Sequence, residues 1–186
     1  MELKWKFIQA EYYNSKGDIS RTKECKRILG IELSNQWPIK MYLSGNTVYV
    51  AMADKQGVVR GVVIYLAIST VGLHPKKCQI GYCIIKESEG PDRVKCPDEF
   101  LNLLSGTEDE VSLEWRTACR EWNKNKKDAL MLESLPVGTR ILAKWNESEV
   151  ELRKTLMRQY KKPIWYDGYY KYDPYRIVAN GFTILS

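Results

Sequence analysis

Residues 58–68 constrain the fold more than any other part of the chain, because Val62, Val63, Ile64, Tyr65 and Leu66 follow one another without a polar break. A strand that does not alternate leaves neither face to water, so it belongs at the centre of a sheet covered on both faces. The apolar stretch 61–71 is too short and too rich in β-branched residues to cross a bilayer. Further strands are expected at 3–10, 39–43, 47–53 and 79–85. Ser44-Gly45-Asn46 joins two of them as a hairpin, and Lys55-Gln56-Gly57 turns into the central strand. A polar turn at 14–17 precedes a short helix at 20–29, with Ser20 as its N-cap. Together these predict an antiparallel meander with helices to one side.

Two more helices follow. Pro97 suits the first turn of a short one at 98–104, which Ser105-Gly106 ends. Thr107 and Glu110 then have the spacing of a capping box, and Val111, Trp115, Ala118, Cys119 and Trp122 recur along one face of a longer helix. Arg116, Arg120, Lys124 and Lys127 step along another face. Such a stripe is either a solvated face with helix-end cations or a ridge that tracks phosphates. Residues 123–128 have the composition of a linker, which divides the chain into an α+β region at 1–128 and a β-rich one at 135–186.

The second region holds most of the charge excess. The chain has a formal net charge of +6, and residues 135–186 carry nine basic and five acidic side chains against 20 and 18 before them. That balance is compatible with RNA or DNA as partner but less dense than a dedicated nucleic-acid binder shows. Strands at 140–145 and 150–160, an Asp167-Gly168 hairpin over 165–170, a bend at Asp173-Pro174 and a last strand at 182–185 suggest a small SH3-like or OB-like barrel or sheet. It either stands alone or packs as part of one domain, and the fold class is α+β in both cases.

Within this region, residues 158–176 hold six of the 12 tyrosines, Trp165, five Lys or Arg residues and two acids. Flat rings interleaved with cations stack bases and track phosphates. The same pattern also fills and rims a small β-barrel. The candidate phosphate contacts are Arg158, Lys161, Lys162 and Lys171, joined by Arg116, Arg120 and Lys124; the candidate stacking rings are Trp165, Tyr166, Tyr169 and Tyr170. Side chains alternate along a strand, so about half of these rings belong to the core.

Catalytic and metal signatures are sparse. The five cysteines are an odd number, and Cys78, Cys83 and Cys96 with His74 lack the paired spacing of a zinc knuckle. On one strand the spacing of Cys78 and Cys83 sends them to opposite faces, and buried free thiols are the expectation. Neither a metal nor another cofactor is expected. His74 is the single histidine, and no phosphate-cradling glycine loop is present. The acids at 98–99 and 108–110 belong to helix starts, where the macrodipole favours them. Asp92, beside Arg93, and Asp167 are the carboxylate candidates for a nuclease that works with Lys, Arg, Tyr and Asp.

A further set of residues carries a resemblance: Tyr12-Tyr13, Lys16-Gly17 and Lys23-Glu24-Cys25, then Gly81-Tyr82, Gly90-Pro91 and Cys96-Pro97 with Leu101 and Leu104. Glu114-Trp115-Arg116, Cys119-Arg120-Glu121, Leu135-Pro136 and Gly138-Thr139 complete it. In these the chain resembles an uncharacterised family of small proteins encoded on plasmids, phages and conjugative elements of Gram-positive bacteria. The match runs over most of the chain, more loosely in the last third, and none of its motifs is a catalytic signature. The resemblance implies a setting, that of an accessory anti-defence factor of anti-CRISPR or anti-restriction type or a helper of transfer.

Three functions stand as expectations. The first is a factor that engages nucleic acid or a nucleoprotein complex through its basic aromatic C-terminal surface. The second is an RNA- or DNA-cleaving enzyme, and the third a protein–protein adaptor with aromatic anchors. The start of the chain lacks the apolar core of a signal peptide, so a cytoplasmic protein without a membrane partner is expected.

Overall fold

The computed structural model describes residues 3–11, 20–70 and 77–185. The turn expected at 14–17, the loop with His74, and Tyr12, Tyr13, Lys16 and Gly17 lie outside the described residues. The chain divides into two compact units, Met1–Arg120 and Glu121–Ser186.

In the first unit, β1 (Lys6–Glu11), β2 (Trp37–Ser44), β3 (Thr47–Ala53), β4 (Val59–Thr70) and β5 (Lys77–Lys86) form an antiparallel sheet in the order β1-β5-β4-β3-β2. The unbroken apolar strand is central, as its lack of alternation requires. Period two then sorts its side chains. Val62, Ile64 and Leu66, with Val48, Val50 and Met52 of β3, meet Cys25, Ile28 and Leu29 of α1 (Arg21–Glu32). Val63 and Tyr65, with Tyr49 and Ala51, meet Phe100 and Leu101 of α2 (Asp98–Leu101) and Trp115 and Cys119 of α3 (Glu110–Ser134). Helices therefore cover both faces rather than one. A strand that is apolar on each side needs cover on each side, which also puts α1 and α3 on opposite faces of the sheet.

Cys78 and Cys83 do fall on opposite faces, one in each apolar cluster, and all five cysteines are buried and outside any disulfide. Burial pushes the Cys25 thiol up to about 12, so it is not a thiolate at neutral pH.

Local signals account for most element ends. Ser20 Oγ accepts the Lys23 amide at 3.4 Å and caps α1. Gly45, at φ 59°, permits the tight turn between β2 and β3. The expected capping box is replaced by a single cap: Asp109 stands directly before α3, and its Oδ2 accepts the Ser112 amide at 2.8 Å. Thr107 Oγ1 instead accepts the Asp109 amide at 3.2 Å.

The linker expected at 123–128 is helical, because α3 runs unbroken through it. Ala129 and Leu132 are buried beyond it, so packing continues the helix past a polar stretch that composition alone marks as a break. The boundary between units lies inside α3. None of the described helices is long and apolar enough to cross a membrane.

The second unit contains β6 (Arg140–Trp145), β7 (Ser148–Thr155), β8 (Ile164–Tyr166), β9 (Lys171–Tyr172) and β10 (Phe182–Leu185). They form an antiparallel sheet in the order β10-β6-β7-β8-β9, with no closed barrel among the described residues. The strand expected over 150–160 ends at Thr155. The bend expected at Asp173-Pro174 is the start of α4 (Pro174–Asn180), where Asp173 Oδ1 accepts the amides of Tyr175 and Arg176 at 3.0 and 3.2 Å. Leu132, Ile141, Ala143, Leu152, Trp165, Tyr172 and Ile177 make this unit's core.

Candidate nucleic-acid interface

Register in the second sheet divides the aromatic and basic residues between two faces. Lys154 pairs with Trp165, and Trp165 with Tyr172, so these three share the buried face. Arg153 pairs with Tyr166, and Tyr166 with Lys171, on the opposite face. Trp165 is 1% exposed, which removes it from the set of exposed stacking rings. Tyr166 is half-buried, and its hydroxyl donates to the Gly168 carbonyl. Tyr169 and Tyr170, in the loop between β8 and β9, are 85% and 71% exposed. The loop is held from within. Asp167 Oδ1 accepts the amides of Tyr169 and Tyr170 at 2.7 and 2.6 Å, and its Oδ2 accepts the Tyr172 hydroxyl at 2.8 Å.

Next to this hairpin lies a cleft of about 700 Å³. Tyr160, Lys161, Lys162 and Pro163, on the connection between β7 and β8, form one wall; Trp165, Lys171 and Tyr172 contribute from the sheet. The Lys171 ammonium sits over the Tyr160 ring, 5.0 Å from its centroid. Three of the four phosphate-contact candidates of residues 158–176 thus converge on one concavity. Arg158 is exposed on the same connection but does not line the cleft. Glu133 and Asp173 are the acids that line it, and Asp173 is engaged in capping α4.

Lys154 also lines the cleft, yet its ammonium is fully used. Nζ donates to the carbonyls of Leu132 at 3.3 Å, of Glu133, and of Leu135 at 2.6 Å, which closes the C-terminal end of α3. Burial pushes its pKa down, partly offset by Glu133. With its three donors engaged, Lys154 is a helix cap.

The helical stripe comes apart. Arg116 is buried and grips Glu87 through two bonds, Nε to Oε2 at 2.7 Å and an Nη to Oε1 at 2.8 Å. Its remaining Nη donates to the Ser105 carbonyl at 2.8 Å. A guanidinium so enclosed does not track phosphates. Arg120 and Lys124 are exposed, as that reading requires.

The two carboxylate candidates lie in different units. Asp92 accepts the Tyr65 hydroxyl, and its Oδ1 stands 3.8 Å from the Arg93 guanidinium. Asp167 is occupied in the turn. Partial burial by itself would raise its pKa, but the bonds from the Tyr170 and Tyr169 amides and the Tyr172 hydroxyl outweigh it and hold the carboxyl below its usual range. A depressed folded-state pKa contributes stability above the unfolded value of about 3.9, and that stability is lost as pH falls through the folded value. Asp167→Asn is expected to cost about 1 kcal/mol at neutral pH after solvent screening. Urea titrations at neutral pH and below pH 4 should show the gap between wild type and variant closing in acid.

Sequence reading missed Lys154, Tyr160 and Tyr172 as cleft residues. Lys154 was detectable: it follows Leu152 by two on β7 and therefore shares its buried face. Tyr160 and Tyr172 carried no signal beyond lying in the aromatic stretch. No family model, curated protein or solved structure matches the chain.

Proposed function

We propose that this protein binds single-stranded nucleic acid, free or within a nucleoprotein complex, through the basic aromatic surface of its second unit. The observation that carries this reading is the convergence of Lys161, Lys162 and Lys171 with Tyr160 around one cleft, beside the exposed Tyr169 and Tyr170. Unpaired bases offer flat faces to such rings, while the ammonium groups follow the backbone. Tyr169 and Tyr170, in the short loop between β8 and β9, expose the rings on which unpaired bases stack. The resemblance to small proteins of Gram-positive mobile elements supports an accessory, anti-defence setting for this binding.

Fluorescence anisotropy with a labelled 20-nucleotide single strand, repeated across salt concentrations, tests the proposal. Three lysine–phosphate contacts predict a slope of log K against log salt near roughly −2. Absence of binding, or binding without salt dependence, would overturn it. Progressive shortening of the probe would assign a nuclease instead. A pull-down that recovers a protein complex equally with and without nuclease would assign a protein-directed adaptor.

A further inference from the structure

We infer that the cleft takes a nucleotide, with the base against Tyr160 and the phosphate on Lys161, Lys162 and Lys171. This rests on the nucleic-acid reading above and deepens it, from a charged surface to a pocket for one unit of the strand. Its volume of about 700 Å³ lies within the roughly 300–1,000 Å³ of small-ligand sites. Its lining alternates rings with ammonium groups, which matches an aromatic base that carries an anion. Tyr169 and Tyr170 do not line it, so base insertion here is separable from stacking on the hairpin tip.

Trp165 adds an independent observation. Its indole Nε1 is buried and has no hydrogen-bond partner among the described residues. Buried donors of this kind are rare and call for an explanation. The other polar groups at the buried wall are already satisfied: the Tyr172 hydroxyl by Asp167 and the Lys154 ammonium by three carbonyls. Nε1 itself lies below the surface, but Trp165 lines the cleft, so its indole resonance reports a base bound there.

The nucleotide can come from a strand or be free in solution, and two probes separate these sources. The full chain is titrated with AMP, with a ten-nucleotide oligothymidylate and with the same sugar–phosphate strand lacking bases, while indole N–H resonances are followed by NMR. The chain has six tryptophans, and Trp165→Phe assigns the relevant signal. Tyr160→Ala is expected to weaken AMP binding by about tenfold, with Tyr160→Phe restoring it, since stacking needs only the ring.

A shift of the Trp165 resonance with AMP and with the oligothymidylate, but not with the abasic strand, is the expected result. A strand that binds with the stated salt slope while leaving Trp165 unmoved, as tightly without bases as with them, overturns the pocket and spares the surface reading. A Trp165 shift with AMP but no binding of any strand retains the pocket and overturns the strand reading. No binding of either overturns both. An oligoglutamate peptide that moves Trp165 as AMP does would overturn base recognition and assign an acidic partner.

Discussion

Arg116→Ala should destabilise the protein by about 3–5 kcal/mol, enough to remove a large share of the stability of a single domain. The cost comes from what remains after the change. Glu87 stays buried, with Oε2 stripped of its guanidinium bond and Oε1 left with only the Gly61 amide at 3.1 Å. Both side chains are almost wholly out of water, at 6% and 2% exposure, so solvent cannot replace the lost partner.

The site cannot rearrange cheaply. A Cβ on Gly61 would stand 3.1 Å from the Trp115 ring and 3.5 Å from Glu87 Oε2, so backbone and carboxylate are already in close approach. Glu87→Ala should be comparably damaging, because it leaves the guanidinium uncompensated. The double replacement Arg116→Met with Glu87→Leu should recover much of the loss, since removal of both charges takes away the desolvation cost with the attraction. Arg120→Ala, one turn further on an exposed position, should fall within about 0.5 kcal/mol of wild type. Urea unfolding followed by tryptophan fluorescence measures all four. If Arg116→Ala cost no more than Arg120→Ala, the ion pair would not be a structural element, and the phosphate ridge would return as the better account of this helix face.

That pair also shows where sequence legibility ends. Arg116 has helical spacing with Arg120 and Lys124, and nothing local distinguishes it from them. Its partner lies 29 residues earlier in the chain, and contacts over such distances are set by tertiary packing. The same limit explains the second unit. Period two told that the rings of 158–176 divide between core and surface, but fewer than the expected half are buried, Trp165 and Tyr172, and which set faces inward depends on register with β7. That register places Trp165 beside Lys154.

Features determined by near neighbours were legible. They include the central position of β4, the opposite faces of Cys78 and Cys83, the Ser20 cap and the Asp167-Gly168 turn. The polar stretch at 123–128 misled, because helix continuation there depends on Ala129 and Leu132 finding cover. Of the candidate site, the lysines and exposed tyrosines could be named in advance, whereas the cleft that gathers them could not. It is built from the β7–β8 connection meeting β9.

The second large effect is expected at that connection. Replacing Lys161 and Lys162 with Glu should lower affinity for a single-stranded probe by about 100-fold at moderate salt, through loss of two phosphate contacts and added repulsion. Both side chains are exposed and stand outside the buried face, so the unfolding midpoint should stay within about 0.5 kcal/mol of wild type. The neutral pair Lys161→Gln with Lys162→Gln separates the two components. It removes the contacts without adding repulsion, so affinity should fall by about tenfold and the salt slope should flatten by about 1.4, at roughly 0.7 per phosphate on a single strand. Slope is the more discriminating quantity, because a protein that merely lost general basicity would weaken without a matching change in the number of ions released. Arg120→Gln and Lys124→Gln, made together, give the comparison: if they flatten the slope and the Lys161–Lys162 pair does not, the backbone runs along α3 and not across the cleft. If neither pair changes it, the strand is bound elsewhere and the convergence of cations around Tyr160 has another cause.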